Sequence, residues 1–413
     1  MAAAVPGGWR WRRAVAWATA AAIVLGSPLI GDLRQALLQA FPRHYVAIIS
    51  TAVVAGGVLL LAICLRTITT DRARRAGLIG LASALAVASF AALRSGNPNV
   101  DAVEAFHFVE YGVLTLLFFP FGQAGARWEA YVEATLAATA VGAADEWFQW
   151  FVPGRAGEWR DVLFDLLAIA CGLLLCLALD TRPGLRRGGD GDLPDSRSGS
   201  ARSAANVGRA PRRRGRRLGL RAAVVVLLLG AFIATIHLGS EIRDSEIGVF
   251  RSRFSADRLR ELGTGRARQW GGGPPPVVGR YGREDQFEAE ALWHVRRRNF
   301  GMDRDRQGDP AELDIAWHEN LILERHFGPV LDAAAAGGRV GHRLAAEQLA
   351  DLDARRAHGA APFVSDAEAM PIYVWPPIAW WTGVAVLAAT AWGLGFVLDR
   401  RGVRVAAGLQ TRL

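Results

Sequence analysis

Apolar stretches long enough to cross a bilayer alternate with short arginine-bearing ones along the chain. Eight such runs stand out, at residues 14–31, 44–65, 77–94, 105–121, 130–151, 161–179, 220–238 and 374–398. A spanning helix needs roughly 20 apolar residues, so the pattern predicts an all-α, polytopic membrane helix bundle of about eight spans. The first run follows the basic stretch WRWRR and is read as an uncleaved first helix.

Between the last two runs the pattern changes. Residues 239–372 predict a mostly helical domain, with apolar positions recurring at helical spacing in SADRLREL, REDQFEAEALWHVRRRNF, PAELDIAWHENLILERHFGPVLD and GHRLAAEQLADLDARRA. A serine opens the first of these and Pro310 the third, both start signals. GGGPPPVVG interrupts the helical pattern. The expected organisation is a six-span domain at 1–180, a linker at 181–219, span 7 at 220–238, the helical domain at 239–372, span 8 at 373–398 and a tail at 399–413. The linker is rich in Arg, Gly, Ser and Pro, with too little apolar surface to order itself.

Charge orients the spans. The 48 basic residues are all arginine and the net charge is +9. Loop arginines that set topology explain this better than nucleic-acid binding does, and no nucleic-acid partner is expected. Arg10, Arg12 and Arg13, the cluster Arg66 to Arg75, the linker arginines and Arg400 to Arg404 fall on one side if eight spans alternate. The positive-inside rule makes that side cytoplasmic, with both termini inside a multi-pass cell-membrane protein and residues 239–372 outside. All three cysteines lie in apolar runs, so no disulfide framework is expected.

Ionisable groups interrupt three consecutive spans at one depth. His107 and Tyr111 share a helix face at the start of the fourth, with Glu104 on the same face. Asp145, Glu146 and Gln149 close the fifth, Arg155 and Arg160 follow in the turn, and Asp161 and Asp165 open the sixth. Such groups face a bundle interior and pair with one another. The pattern predicts an outward-opening polar pocket walled by His107, Tyr111, Glu146, Gln149, Arg155, Arg160, Asp161 and Asp165. A structural alternative has Arg155–Asp161 or Arg160–Glu146 pairs fastening the turn.

These residues bring a resemblance. HFxxY at His107, Phe108 and Tyr111, then EWFQWFVPGR with Glu146, Gln149, Pro153 and Arg155, then Arg160 and Asp161, resemble the VanZ-like membrane proteins over about residues 15–180. The chain departs from that pattern in having Glu158 for a usual Asp, Asp165 for Asn, Ala168 for Gly, and Glu104 where a basic residue is common. The resemblance implies a six-span membrane domain and an association with teicoplanin resistance, and it leaves the biochemical activity open.

Three function classes are compatible with these residues. In the first, the pocket binds a membrane lipid or lipid-linked cell-wall precursor, with Arg155 and Arg160 pairing to its phosphate. In the second, it is a membrane-embedded enzyme with His107 and Glu146 as base and acid and Arg155 stabilising charge. In the third, Asp165 relays a proton in a transporter. No cofactor and no metal signature is recognised. His294, His318, Glu319 and His326 fall short of a zinc-peptidase helix because position 322 is Ile. The expectation there is a small core packed around Trp293 and Trp317.

Overall fold

The computed structural model describes residues 8–121, 127–152, 157–181, 214–269, 285–332, 342–355, 363–367 and 371–410. Most of the expected linker lies outside them. The chain divides into two compact units. The first comprises Met1–Gln149, Gly157–Phe232 and Trp381–Leu413; the second comprises Trp150–Ala156 and Ile233–Trp380.

The first unit is helical: α1 Gly8–Ala40, α2 Tyr45–Thr67, α3 Arg72–Leu93, α4 Pro98–Glu104, α5 Phe106–Phe118, α6 Arg127–Gln149 and α7 Trp159–Leu179, then α8 Arg214–Ile236. The long C-terminal helix Pro377–Gln410 returns to it after the second unit. Together these make an all-α membrane bundle. Among the described residues, six helices are long and apolar enough to cross a bilayer: residues 11–40, 45–67, 72–93, 159–179, 215–236 and 377–399.

The runs expected to form spans 4 and 5 are helices that fall short of this measure. α5 is only 13 residues, broken from α4 at Ala105 and ended before Pro120, which disfavours helix at the residue ahead of it. α6 has 23 residues but carries Arg127, Glu129, Glu133, Asp145 and Glu146. α5 falls short by length and α6 by its charges, and both pack into the core of neighbouring helices. Tyr111, Leu114, Ala134 and Ala138 are fully buried in the core that α1, α5, α6 and α7 share.

α7 is the axle of the unit. Phe164, Ala168, Ile169, Cys176 and Ala178 are all buried there. At Gly172 an added Cβ would lie 2.8 Å from the Thr115 side chain and 3.0 Å from the Gly112 carbonyl, so α5 and α7 touch backbone to backbone. In lipid, where water does not drive helices together, such small-residue contacts supply the packing attraction. The outer faces of α2 and α3 are apolar and exposed, as at Val54, Leu59 and Val87, which suits contact with lipid.

α8 begins at Arg214, inside the stretch expected as linker. Its N-terminus is held by Asp399, which accepts from the amides of Gly215 at 2.8 Å and Arg216 at 3.2 Å. The orphan donors of a helix start and its positive dipole end both favour a carboxylate there. Gly219 meets Gly395 so closely that a Cβ would sit 2.9 Å from the facing Cα.

The second unit holds an element that the periodicity does not reveal, an antiparallel hairpin of β1 Ser240–Asp244 and β2 Gly248–Ser252. Each strand has five residues, too few for alternation to stand out. Its turn is held by Asp244 Oδ1, which accepts from the amides of Glu246 and Ile247, and Gly248 takes the positive φ of 109° that glycine tolerates. The expected helices form as α9 Ala256–Gln269, α10 Asp285–Arg306, α11 Ala311–His326, α12 Gly328–Asp332 and α13 Ala346–Arg355. Ser255 Oγ caps α9 by accepting from the Arg258 amide at 3.2 Å.

The core of this unit gathers Ile242, Phe250, Leu259, Phe287, Ile322 and Phe327. Trp317 packs beside a smaller cluster, but Trp293 is 37 % exposed under the guanidinium of Arg296. The inward positions of α10 are taken by Ala291, His294 and Val295, so Trp293 falls on the opposite face. His294 donates from Nδ1 to Glu319 at 2.5 Å, Ser365 donates to the same carboxylate, and His318 Nδ1 donates to the Ile247 carbonyl. These histidines are engaged in pinning helices and the hairpin together.

Candidate functional site

Three helices of the first unit deliver polar side chains to one place. His107 stands in the first turn of α5, Asp165 in the second turn of α7, and Asp145, Glu146 and Gln149 in the last turn of α6. His107 Nδ1 donates to Asp165 Oδ1 at 2.7 Å. A ligand atom from each of His107, Glu146 and Asp165 lies within 4.8 Å of the other two.

The cluster is enclosed. Tyr111 and Glu146 have no exposed surface, Asp165 is 1 % exposed, and Gln149 and Asp145 are nearly as deep. Gln149 Nε2 donates to Asp145 Oδ2 and Glu146 Oε1, both at 3.0 Å, tying two carboxylates that one charge would set apart. Tyr111 also donates to Asp145, at 3.4 Å, and its ring is stacked on His107 with an interplanar angle of 5°. The Glu158 amide closes on Glu146 Oε2 at 3.4 Å.

Space for Asp165 is provided by Gly142 on α6. A Cβ there would lie 2.5 Å from Asp165 Oδ2, so only glycine lets α6 and α7 close over the carboxylate. That oxygen is buried and receives no hydrogen bond, and the same is true of Asp145 Oδ1. A buried carboxylate oxygen without a partner is unfavourable by several kcal/mol on the order of a lost charged hydrogen bond.

Of the predicted wall residues, His107, Tyr111, Glu146, Gln149 and Asp165 are brought together. Arg160 faces elsewhere and pairs with Glu104, 56 positions earlier in the chain. The turn-fastening pair with Glu146 does not form, because Glu104 reaches the guanidinium from the end of α4. Asp161 is half-buried in the first turn of α7, where its amide donates to the Glu158 carbonyl at 3.1 Å. Burial, and then the charge of Asp161, push the Glu158 carboxyl above the usual range, with Arg160 working the other way. Arg155 lies outside the described residues.

Sequence spacing indicated Asp145 as a neighbour of Gln149 but not its place in the network. The common depth of His107, Glu146 and Asp165 was legible from their places in three consecutive spans, but not their approach as three donors, because 39 and 19 positions separate residues that only helix packing joins.

Residues 56–180 match the model of the VanZ/LLP1 family. This stretch is a VanZ-family domain, running from within α2 to the end of α7, and it contains every site residue just described. The match begins later than the resemblance at 15–180, leaving α1 outside it. No curated protein and no solved structure matches the chain.

Proposed function

We propose that the VanZ-like domain binds the polar head group of an envelope lipid or lipid-linked wall precursor, with His107, Tyr111, Glu146, Gln149 and Asp165 as the receiving side chains. The observation that carries this reading is the convergence of five polar groups from three packed helices, centred on the 2.7 Å contact of His107 and Asp165. Polar groups inside a membrane bundle are costly and are kept for substrates or ions. The arginine distribution favours both termini inside, which puts the cluster toward the outer leaflet. Arg155 is the guanidinium proposed to pair with a head-group phosphate, and Arg160 pairs with Glu104.

A role at the outer leaflet extends to glycopeptide susceptibility, since these antibiotics act on wall precursors there. The test is to express wild type, His107→Ala and Asp165→Asn at matched membrane levels in a glycopeptide-sensitive host. Teicoplanin susceptibility and the lipids that copurify are then compared. Protection and a retained lipid in wild type, both lost in the variants, support the reading. Equal behaviour of all three and the empty host sinks it.

The His107–Asp165 contact favours a second reading, a membrane-embedded enzyme. With Nδ1 of His107 held by Asp165, Nε2 is the ring nitrogen left to exchange a proton with a substrate. Glu146 is the companion acid. An enzyme loses turnover in His107→Ala while still retaining its lipid; a binding protein loses the lipid as well.

A further inference from the structure

We propose that His107, Glu146 and Asp165 form a binding site for a divalent cation of the zinc or manganese class, through which a head-group phosphate is held. The inference rests on the head-group reading above and deepens it. It answers a difficulty in that reading: the cluster is rich in carboxylates, whereas lipid and precursor head groups carry phosphate.

The donor set fits a cation. One imidazole nitrogen and two carboxylate oxygens, within 4.8 Å of one another, come from three separate helices. Donors on opposite sides of an ion bound at about 2.0–2.6 Å stand roughly 4–5 Å apart, so only a small closing movement is needed. Mixed imidazole and carboxylate donors suit zinc, manganese or iron better than calcium alone.

Two carboxylate oxygens at the cluster are buried without a hydrogen bond. Asp165 Oδ2 is buried, accepts no hydrogen bond and lies against Gly142, one helical turn before Glu146 on α6. Asp145 Oδ1, also buried, accepts none either. Buried carboxylates are stable when paired or bound to metal. Asp165 Oδ1 stands 2.7 Å from Nδ1 of His107, so an ion shared by the two takes the place of the proton between them, as binding to deprotonated donors requires. The surrounding Gln149 and Tyr111 hydrogen bonds orient the α6 carboxylates.

The test uses the full chain, purified in detergent without a histidine tag or chelator. Elemental analysis of the protein as isolated comes first, then Mn²⁺ titration by electron paramagnetic resonance after chelator treatment, with Zn²⁺ as competitor. About one equivalent is expected in wild type. Glu146→Gln and Asp165→Asn are expected to bind tenfold more weakly or worse, and Glu133→Gln to bind as wild type. Circular dichroism and gel filtration establish that each variant is folded. If folded wild type takes up no Mn²⁺ or Zn²⁺, or the site variants bind as wild type does, the cation site is overturned. Copurifying lipid is measured with and without the metal. Lipid retained by metal-free protein overturns the bridging role and leaves the head-group reading standing. A bound cation with no lipid in any sample upholds the site and removes that reading instead.

Discussion

Arg160 at the start of α7 pairs with Glu104 at the end of α4, and Glu104 is 7 % exposed. The pair joins the short helix before α5 to the helix at the centre of the bundle. Breaking a buried pair strands a charge, whereas replacing both partners by apolar groups does not. Arg160→Met alone is therefore expected to destabilise by about 3 kcal/mol, and Glu104→Leu with Arg160→Met by much less. Thermal unfolding of the two singles and the double in detergent checks this; additive losses would show that the pair is not a unit.

Gly142 and Asp165 define the tightest point of the candidate site. Gly142→Ala places a methyl group where Asp165 Oδ2 stands, and the aspartate is short and already held by His107. Overpacking of this kind is expected to destabilise by about 1–3 kcal/mol. The same variant should lose the copurifying lipid. An alanine variant with wild-type melting temperature and ligand content would mean that the α6–α7 contact is looser than described.

His326 in the second unit makes stability pH-dependent. Both ring nitrogens are buried without a hydrogen bond, and burial lowers its proton affinity, with the charge of Asp244 opposing. Above the unfolded value near 6.5 the ring is neutral in both states. Below it the unfolded chain takes up a proton that the folded ring resists, so stability falls as pH drops. His326→Phe keeps the aromatic contact with Phe250 and removes the titration. The melting temperature of wild type should therefore fall more than that of the variant between pH 7.5 and 5.5. Equal falls would assign the loss to other groups.

Asp399 caps α8 from the C-terminal helix. Asp399→Ala leaves two amide donors without their acceptor and is expected to cost about 1 kcal/mol, with Asp399→Asn milder. Amide hydrogen exchange at Gly215 and Arg216 reads this directly. Faster exchange in the alanine variant is the expected outcome, and unchanged exchange would mean that water or another group serves the helix start.

Local pattern determined the helical bundle, the long apolar helices and the helices of the second unit. Hydrophobicity and 3.6-residue periodicity are properties of neighbouring residues, so each stretch declares its helix by itself. The polar residues of α5, α6 and α7 were visible as a set for the same reason: in apolar surroundings a His, a Glu or an Asp is conspicuous wherever it occurs. Tertiary structure alone decided how they pair. Arg160 could reach Glu146 or Glu104 on spacing alone, and the packing of α4 against its neighbours chose Glu104. The hairpin at 240–252 stayed hidden because five-residue strands carry too little pattern and take their stability from the core they close. The meeting of His107, Glu146 and Asp165 depends on Gly142 and Gly172, whose missing side chains let α5, α6 and α7 approach. Residues far apart along the chain become donors to one point only when the helices close, and that distance is set by packing.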